Sequence, residues 1–374
     1  MINETSDLAR SERPKPLRAR TLGLKLDGST GQWNSITDVE GVSVGYTTLI
    51  SGSGALEVGS GPIRTGVTAI LPRPTDQLCD PVMAGIFSLN GNGELTGSHY
   101  IEETGKFSLP IAITNTHSCG LARDAVIKWA AARFPDVYAD GFALPVAAET
   151  YDGFLNDING FHVTDAHVIS AIEHATTGQI QEGSVGGGTG MKCFGFKAGS
   201  GTSSRLVQFD GHTYTVGTFV QANFGGRTDL TVLGYPLGKE MKEPAMVRNT
   251  HDPDLSSIIV VVATDAPILP HQLKRLARRA TLGVGKTGGI GRHGSGDIFL
   301  AFSTGNTVPD FRASERLLRL EMVPDEHLDR FFEAVVQSTE EAILNSMIAN
   351  SDMTGRDDNF VPAIPHRELL RVGL

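Results

Sequence analysis

Residues 257–267 read SIIVVVATDAP, with five consecutive β-branched residues from Ile258 to Val262 and no polar residue among them. A strand with one wet face alternates apolar and polar side chains, so an unbroken apolar run leaves no face for water and must be covered on both sides. Comparable runs recur as GVTAILPR (66–73), IAITNT (111–116), ALPVAAET (143–150), YTVGTFVQANFG (214–225) and IFLAFST (298–304). These predict mostly buried strands, and therefore sheet layers covered by helices in one continuous α/β body.

Helical spacing lies between the strands. In CGLARDAVIKWAAARF, Leu121, Ala125, Trp129 and Ala132 share a predicted face and Pro135 ends the helix. In HQLKRLARRATLG, Leu273, Leu276, Ala277 and Ala280 form an apolar stripe opposite Lys274, Arg275, Arg278 and Arg279. The longest predicted helix runs from Asp325 to about Ala349, with Leu328, Phe332, Val335, Ile343 and Met347 inward. The first twenty residues are polar and predict a loosely held arm, with ordered structure beginning near Thr21.

Charge and punctuation narrow the function classes. A formal net charge of −10 argues against nucleic acid as a partner, because phosphate binding needs clustered cations. No run reaches the eighteen or so apolar residues of a membrane span, and MINETSDLARSERPKPLRAR is followed by no apolar h-region, so a cytoplasmic protein is expected. The 44 glycines cluster in short runs that mark tight turns. Cys79, Cys119 and Cys193 show no CxxC or CxxH spacing and are expected to be buried, reduced thiols.

Several motifs fail on context. In GVGKTGGIG, Gly283, Gly285 and Gly288 fit GxGxxG, but the run follows a predicted helix ending near Thr281 instead of a strand. A P-loop needs glycine where Ala280 stands, so a turn after a helix end is the plainer reading. NDING (156–160) lacks the outer ligands of a calcium loop, since Leu155 and Ala166 occupy them. The histidines form no HExxH, so no metal is expected. His293 near Ser295 would suit a Ser-His hydrolase, but no GxSxG elbow accompanies it.

Two serines, Ser256 and Ser257, stand at the threshold of the buried run. A serine without a histidine needs another base, and a chain terminus can supply one. If the backbone breaks before a serine, the freed α-amine has a pKa of about 7.7–8.0 and sits on the same residue as the hydroxyl. On this stretch alone, the ordinary reading remains two serines that end a loop.

The order and spacing of ITDVEGVSVGYTTL (36–49), GPIRTGVTAILPR (61–73), NGNGELTG (90–97), AAETYDGFLNDI (147–158), GSVGGGTGM (183–191), VQANFG (220–225), SIIVVVATDAPILPHQLKRLARRA (257–280) and GSGDIFLAFSTGN (294–306) change that reading. Over nearly its whole length the chain resembles the self-processing aminopeptidases often called the DmpA family, which includes L-aminopeptidase/D-alanyl-esterase-amidases and β-peptidyl aminopeptidases. The resemblance implies a four-layer αββα sandwich of Ntn-hydrolase type, formed by one domain over 1–374 and cut into a large chain 1–256 and a small chain 257–374. It implies Ser257 as nucleophile, with a shift to Ser256 left open because the family has Gly or Asn before the scissile bond.

Ser295 and Asp297, 38 and 40 residues after Ser257, match the family's second serine and acid. Relatives with Glu at the acid position imply that the shorter Asp needs a backbone shift or a water to span the same gap. Asn223 corresponds to an oxyanion donor, with Tyr151 as a second polar contributor, and Glu149 to the anchor for the substrate's ammonium group. GGGTGM (186–191) would form a close-packed turn that leaves room in the cleft. The implied substrates are small peptides, amides or esters, with no cofactor, in a homotetramer of αβ heterodimers. Two rivals are an acyltransferase of the ornithine acetyltransferase type, whose members use threonine, and a non-catalytic nucleotide-binding protein using the glycine loops.

Overall fold

The computed structural model describes residues 17–250, 255–307 and 317–372. In chain order its main strands are β1 (Ser43–Ser51), β2 (Ile63–Leu71), β3 (Val82–Gly91), β4 (Lys106–Phe107), β5 (Ile111–Asn115), β6 (Ala147–Thr150), β7 (Lys192–Cys193), β8 (Phe196–Lys197), β9 (Ser200–Phe209), β10 (His212–Asn223), β11 (Ser256–Thr264) and β12 (Ser295–Ser303). The helices are α1 (Ser98–Thr104), α2 (Cys119–Arg133), α3 (Pro135–Tyr138), α4 (Asp165–Glu173), α5 (Leu237–Glu240), α6 (Pro270–Lys286) and α7 (Asp329–Ile348), followed by a short C-terminal turn of helix. One sheet has the order β1-β2-β5-β6 and the larger one β4-β3-β12-β11-β10-β9.

The strand with no polar face is buried as its composition requires. Ile259, Val261 and Ala263 of β11 enter the core between the two sheets with Phe219, Leu300 and Phe302. Ile258, Val260 and Val262 enter the core under α6 and α7 with Leu276, Ala280, Phe331 and Val335. Each such side chain removed from water contributes about 1.5–3 kcal/mol, before conformational entropy is charged against it. A third core lies on the far face of the smaller sheet, where Ala69, Ala112 and Ala147 meet Val126 and Trp129 of α2 and Val168 and Ile172 of α4. The layers therefore run helix, sheet, sheet, helix.

Strands β11 and β12 pair in parallel, which no hairpin can connect. Helix α6 makes the crossover, and the approach is close: a Cβ at Gly85 of β3 would collide with the backbone of Lys274 on α6. Both the apolar stripe of α6 and the inward residues of α7 are buried as their spacing predicts.

Four sequence expectations change. Ordered structure begins before Thr21, because Ala19 is fully buried and Arg18 pairs with Glu182 at 2.7 Å; residues 1–16 lie outside the described residues. On α2, Ala132 is exposed, while Ala122, Val126 and Ala130 join Ala125 and Trp129 inside. Helix α6 continues to Lys286, so Gly283 and Gly285 are helical, and Gly283 lets Thr339 of α7 pack against it. Cys79 is half-buried, whereas Cys119 and Cys193 are buried, and none of the three is in a disulfide. Among the described residues no helix is long and apolar enough to cross a membrane.

Charged residues also enter the helix layer. Glu341 of α7 is completely buried and accepts from Arg205 Nη2 of β9 at 2.7 Å and from Arg20 Nε at 3.0 Å. Glu341→Ala would leave Arg205 buried without its counter-ion, a loss of about 3–5 kcal/mol. Urea unfolding should show a much lower midpoint, and a midpoint within error of the wild type would show that the pair contributes nothing.

Candidate active site

At the N-terminal end of β11 three strands present their residues in register. Asn223 on β10 is opposite Ser257, and Ser257 is beside Gly296 on β12, while Ser256 is beside Ser295 and Ile258 beside Asp297. Because side chains alternate across a strand, Ser257 and Asn223 face the space between the sheets. Ser256, Ser295 and Asp297 face the helix side. The bond between Ser256 and Ser257 thus lies where the two rows meet.

Ser257 is only 3 % exposed, and its hydroxyl makes no hydrogen bond; the Ser256 hydroxyl is likewise buried and unbonded. The Ser295 hydroxyl donates to Asp297 Oδ1 at 2.6 Å, so the aspartate reaches this partner directly without an intervening water. Burial pushes the Asp297 carboxyl above its usual range, against hydrogen bonds from Ser295, the Asn90 side chain and the Ile258 backbone. Asn90 Oδ1 in turn accepts from the Asp297 backbone N–H at 2.8 Å. His293 is exposed, and the Ser295 hydroxyl goes to the aspartate.

Asn223 is held from both sides. Its Oδ1 accepts from the Lys192 backbone at 3.0 Å, and its Nδ2 donates to the Tyr151 carbonyl at 2.8 Å. An amide nitrogen carries two hydrogens, so its orientation is fixed by one and its chemistry is left to the other. The hydrogen bond from Asn223 runs to the Tyr151 carbonyl, and the phenol ring lies over Gly153. Gln221, two residues earlier on β10, donates to Thr150 Oγ1 at 2.7 Å and to the Thr114 carbonyl, tying the two sheets together beneath the site.

Glu149 is the next-to-last residue of β6 and is 4 % exposed, not a strand-end charge pointing to water. Its Oε1 accepts from the Glu94 backbone at 2.9 Å and its Oε2 from the Thr116 hydroxyl. Burial raises its pKa, while those two hydrogen bonds and nearby His117 lower it again. A side chain at Gly93 would meet Gly296 Cα at 3.1 Å and Glu149 Oε1 at 3.2 Å. The carboxylate therefore stands beside the register neighbour of Ser257, and glycine at 93 keeps that gap open.

GGGTGM behaves differently from its expectation. The turn is buried, but its missing side chains make room for the protein itself: a Cβ at Gly187 would strike Gln221 and the Ile113 carbonyl, and one at Gly188 would strike Ser200. Thr116 carries no sequence signal of its own, and Asn90 and Glu94 stand in the recurring segment NGNGELTG with nothing there to single them out until the fold turns them inward. Asp152, next to Tyr151, is also buried, and burial pushes its carboxyl up to about 7. Among the described residues no group of three or more His, Cys, Asp or Glu forms a metal-ligand set.

Lys197 is another residue without a motif. It is fully buried on β8, where its Nζ donates to the Met191 and Ala198 carbonyls at 2.7 and 2.6 Å, and burial lowers its pKa to about 7. A neutral amine has two hydrogens for these two acceptors. The lysine thus secures the chain at Met191, one residue before the Lys192 N–H that holds Asn223. Because the folded pKa is depressed, the stability this amine contributes is full above the ordinary lysine value of about 10.4 and is lost as pH falls toward 7. The difference in urea midpoint between wild type and Lys197→Met should therefore widen as pH rises from 7 to about 10. A difference independent of pH would mean that the amine stays charged.

Comparison with known proteins converges on one family. The family model described as peptidase family S58 matches residues 34–361. A β-peptidyl aminopeptidase, BapA, of Sphingosinicella microcystinivorans is 50 % identical over 364 residues, covering 94 % of this chain and 90 % of that protein. The solved L-aminopeptidase D-Ala-esterase/amidase of Ochrobactrum anthropi, described as a prototype serine aminopeptidase and a variant of the Ntn-hydrolase fold, is 49 % identical with a TM-score of 0.89, over 95 % of this chain and 98 % of that one. A Burkholderia β-aminopeptidase structure is 43 % identical with a TM-score of 0.86, over the same shares. These matches favour neither an acyltransferase nor a nucleotide-binding protein. The chain is a hydrolase with the Ntn-type αββα fold and belongs to peptidase family S58.

Proposed function

We propose that the chain cuts itself between Ser256 and Ser257 and that Ser257, as the new N-terminus, is the nucleophile of a serine aminopeptidase. The observation that carries this reading is a buried, unbonded Ser257 hydroxyl on the strand between Asn223 and the Ser295–Asp297 pair. In maturation Ser257 Oγ attacks the Ser256 carbonyl carbon. The carbon–nitrogen bond breaks, the hydroxyl proton passes to the departing α-amine, and water hydrolyses the resulting ester to a Ser256 carboxylate and a free Ser257 hydroxyl. One αββα domain then consists of chains 1–256 and 257–374.

In turnover the free α-amine takes the Ser257 proton as Oγ attacks the substrate carbonyl. The amine emerges at the junction with the Ser256–Ser295 row, where Ser295 orients it and Asp297 favours its protonated form. Asn223 donates to the oxyanion, with Tyr151 as a further polar group. The leaving amine takes the proton, and water releases the acyl group. Glu149 anchors the substrate's ammonium, which limits hydrolysis to the first residue. The substrates are small peptides, amides or esters of L-, D- or β-amino acids. We further infer a homotetramer of αβ heterodimers, which would cover exposed apolar residues such as Phe142, Phe161 and Ile290. Cysteines outside any disulfide and a net negative charge support work in the cytoplasm.

Two measurements test the chemistry. Denaturing electrophoresis with N-terminal sequencing should give two fragments, the smaller beginning Ser-Ile-Ile-Val, and Ser257→Ala should remain one full-length chain. Because the Ser256 hydroxyl is also buried and unbonded, a start of Ser-Ser-Ile-Ile would transfer the role to Ser256. A Ser257→Ala protein that still splits at the same bond and turns over substrate would discard the nucleophile.

Glu149→Gln should mature normally yet lose most hydrolysis of alanine p-nitroanilide. Since the carboxyl titrates above the usual range, wild-type kcat/KM should fall as pH drops through that raised value, an acid limb that the glutamine variant lacks. Equal activity in both proteins would remove Glu149 as the anchor.

A further inference from the structure

A cavity of about 200 Å³ opens beside the reaction site on the β10 side, reached past Asn223, Leu255 and Ser256. Its lining includes four cations, Lys192, Arg227, Lys242 and Arg248, and, among the described residues, no carboxylate. That is unusual on a chain whose acidic residues outnumber its basic ones by ten. Arg227 is fixed over the Phe196 ring at 3.5 Å and donates to the Phe194 and Gly195 carbonyls. Its Nη1 is nevertheless buried and makes no hydrogen bond. A buried charged donor without an acceptor costs free energy, and its retention at a cavity wall marks a position where an acceptor arrives with a ligand. Burial lowers the Arg227 pKa to about 10, so the group stays charged at neutral pH. The carboxylate that acts on it from nearby, Glu243, is itself bound to the Ala245 N–H at 2.9 Å.

The cavity and the Glu149 carboxylate flank the nucleophile strand. Glu149 adjoins Gly296 on the β12 side, and the cavity begins at Asn223 on the β10 side. Two strand spacings, about 10 Å, separate those sides. An extended peptide of two or three residues spans about 7–10 Å at roughly 3.5 Å per residue. An ammonium at Glu149 therefore directs the other end of such a peptide, the leaving-group side, toward the cations.

Building on the aminopeptidase reading above, we propose that this cavity is a leaving-side subsite for a free α-carboxylate, so that the preferred substrates are di- and tripeptides recognised at both charged ends. Arg227 is the buried anchor, and the exposed Lys242 attracts the anion from solvent.

The test compares the dipeptide Ala-Ala with its C-terminal amide, in whichever L-, D- or β-alanyl form the wild type hydrolyses, by chromatography of the products. Wild type should favour the acid by about tenfold or more in kcat/KM, and 0.5–1 M salt should erode that ratio by screening. The exposed changes Lys242→Glu and Arg248→Glu together should bring the ratio to about one or below, the ratio serving as its own internal control. Alanine p-nitroanilide, which has no carboxylate, reports on the aminopeptidase reading separately. A wild-type ratio near one with normal p-nitroanilide turnover would overturn the subsite alone. A ratio that survives both salt and the charge reversals would overturn it too, whereas absence of hydrolysis on every substrate would sink the underlying function.

Discussion

The parallel ladder between β11 and β12 is the constraint on which the site depends. Parallel neighbours require a crossover, and α6 with its flanking loops spends some thirty residues on making one. The return is an alignment of residues far apart in sequence: Ser256 with Ser295, Ser257 with Gly296, Ile258 with Asp297. A slip of one residue would turn Ser257 away from Asn223 and Glu149, because each strand residue changes face with register. The slip is opposed by the two cores that β11 enters, since Ile258, Val260 and Val262 fit under the helices while Ile259, Val261 and Ala263 fit between the sheets. Packing of the strand thus sets the geometry of its end.

Around that end the charges are ordered spatially. Glu149 and Asp297 are both raised by burial, yet they belong to different sheets and neither acts on the other's carboxyl, so they do not compete for one proton in the manner of a shared-carboxylate pair. The amide of Asn223 stands across β11 on β10, fixed by backbone groups of Lys192 and Tyr151. Fixing a donor before the reaction removes the reorganisation that a mobile side chain would need at the transition state.

Much of this was legible in the chain because burial leaves a compositional trace. The runs that became β2, β5, β6, β10, β11 and β12 lack polar alternation, and the stripes of α6 and α7 recur at helical spacing. Strand β9, SGTSSRLVQF, gave no such signal although its first six residues are buried. Its polar side chains are satisfied internally: Ser203 donates to the Ser338 carbonyl and Thr202 to the Thr218 carbonyl. Hydropathy records what water leaves, but hydrogen bonding between distant segments has no local pattern. The same reason hides Lys197 and Thr116, while Ser257, Ser295, Asp297 and Glu149 could be proposed only because whole segments recur in a known order. The continuation of α6 through Gly283 and Gly285 shows the converse, a tertiary contact with α7 overriding two residues that disfavour helix.

The order β3-β12-β11-β10-β9 would have a thermodynamic consequence if the proposed cut before Ser257 is made. Strands β11 and β12 come from the later fragment and are enclosed on both sides by strands from the earlier one, while α6 and α7 of the later fragment cover the sheet. Neither piece retains the larger sheet by itself, so unfolding would become dissociation and refolding a bimolecular encounter. Before the cut, dilution leaves the folded fraction unchanged; afterwards it lowers it. In a dilute solution the lifetime of the processed molecule would then depend on the barrier to separating its pieces.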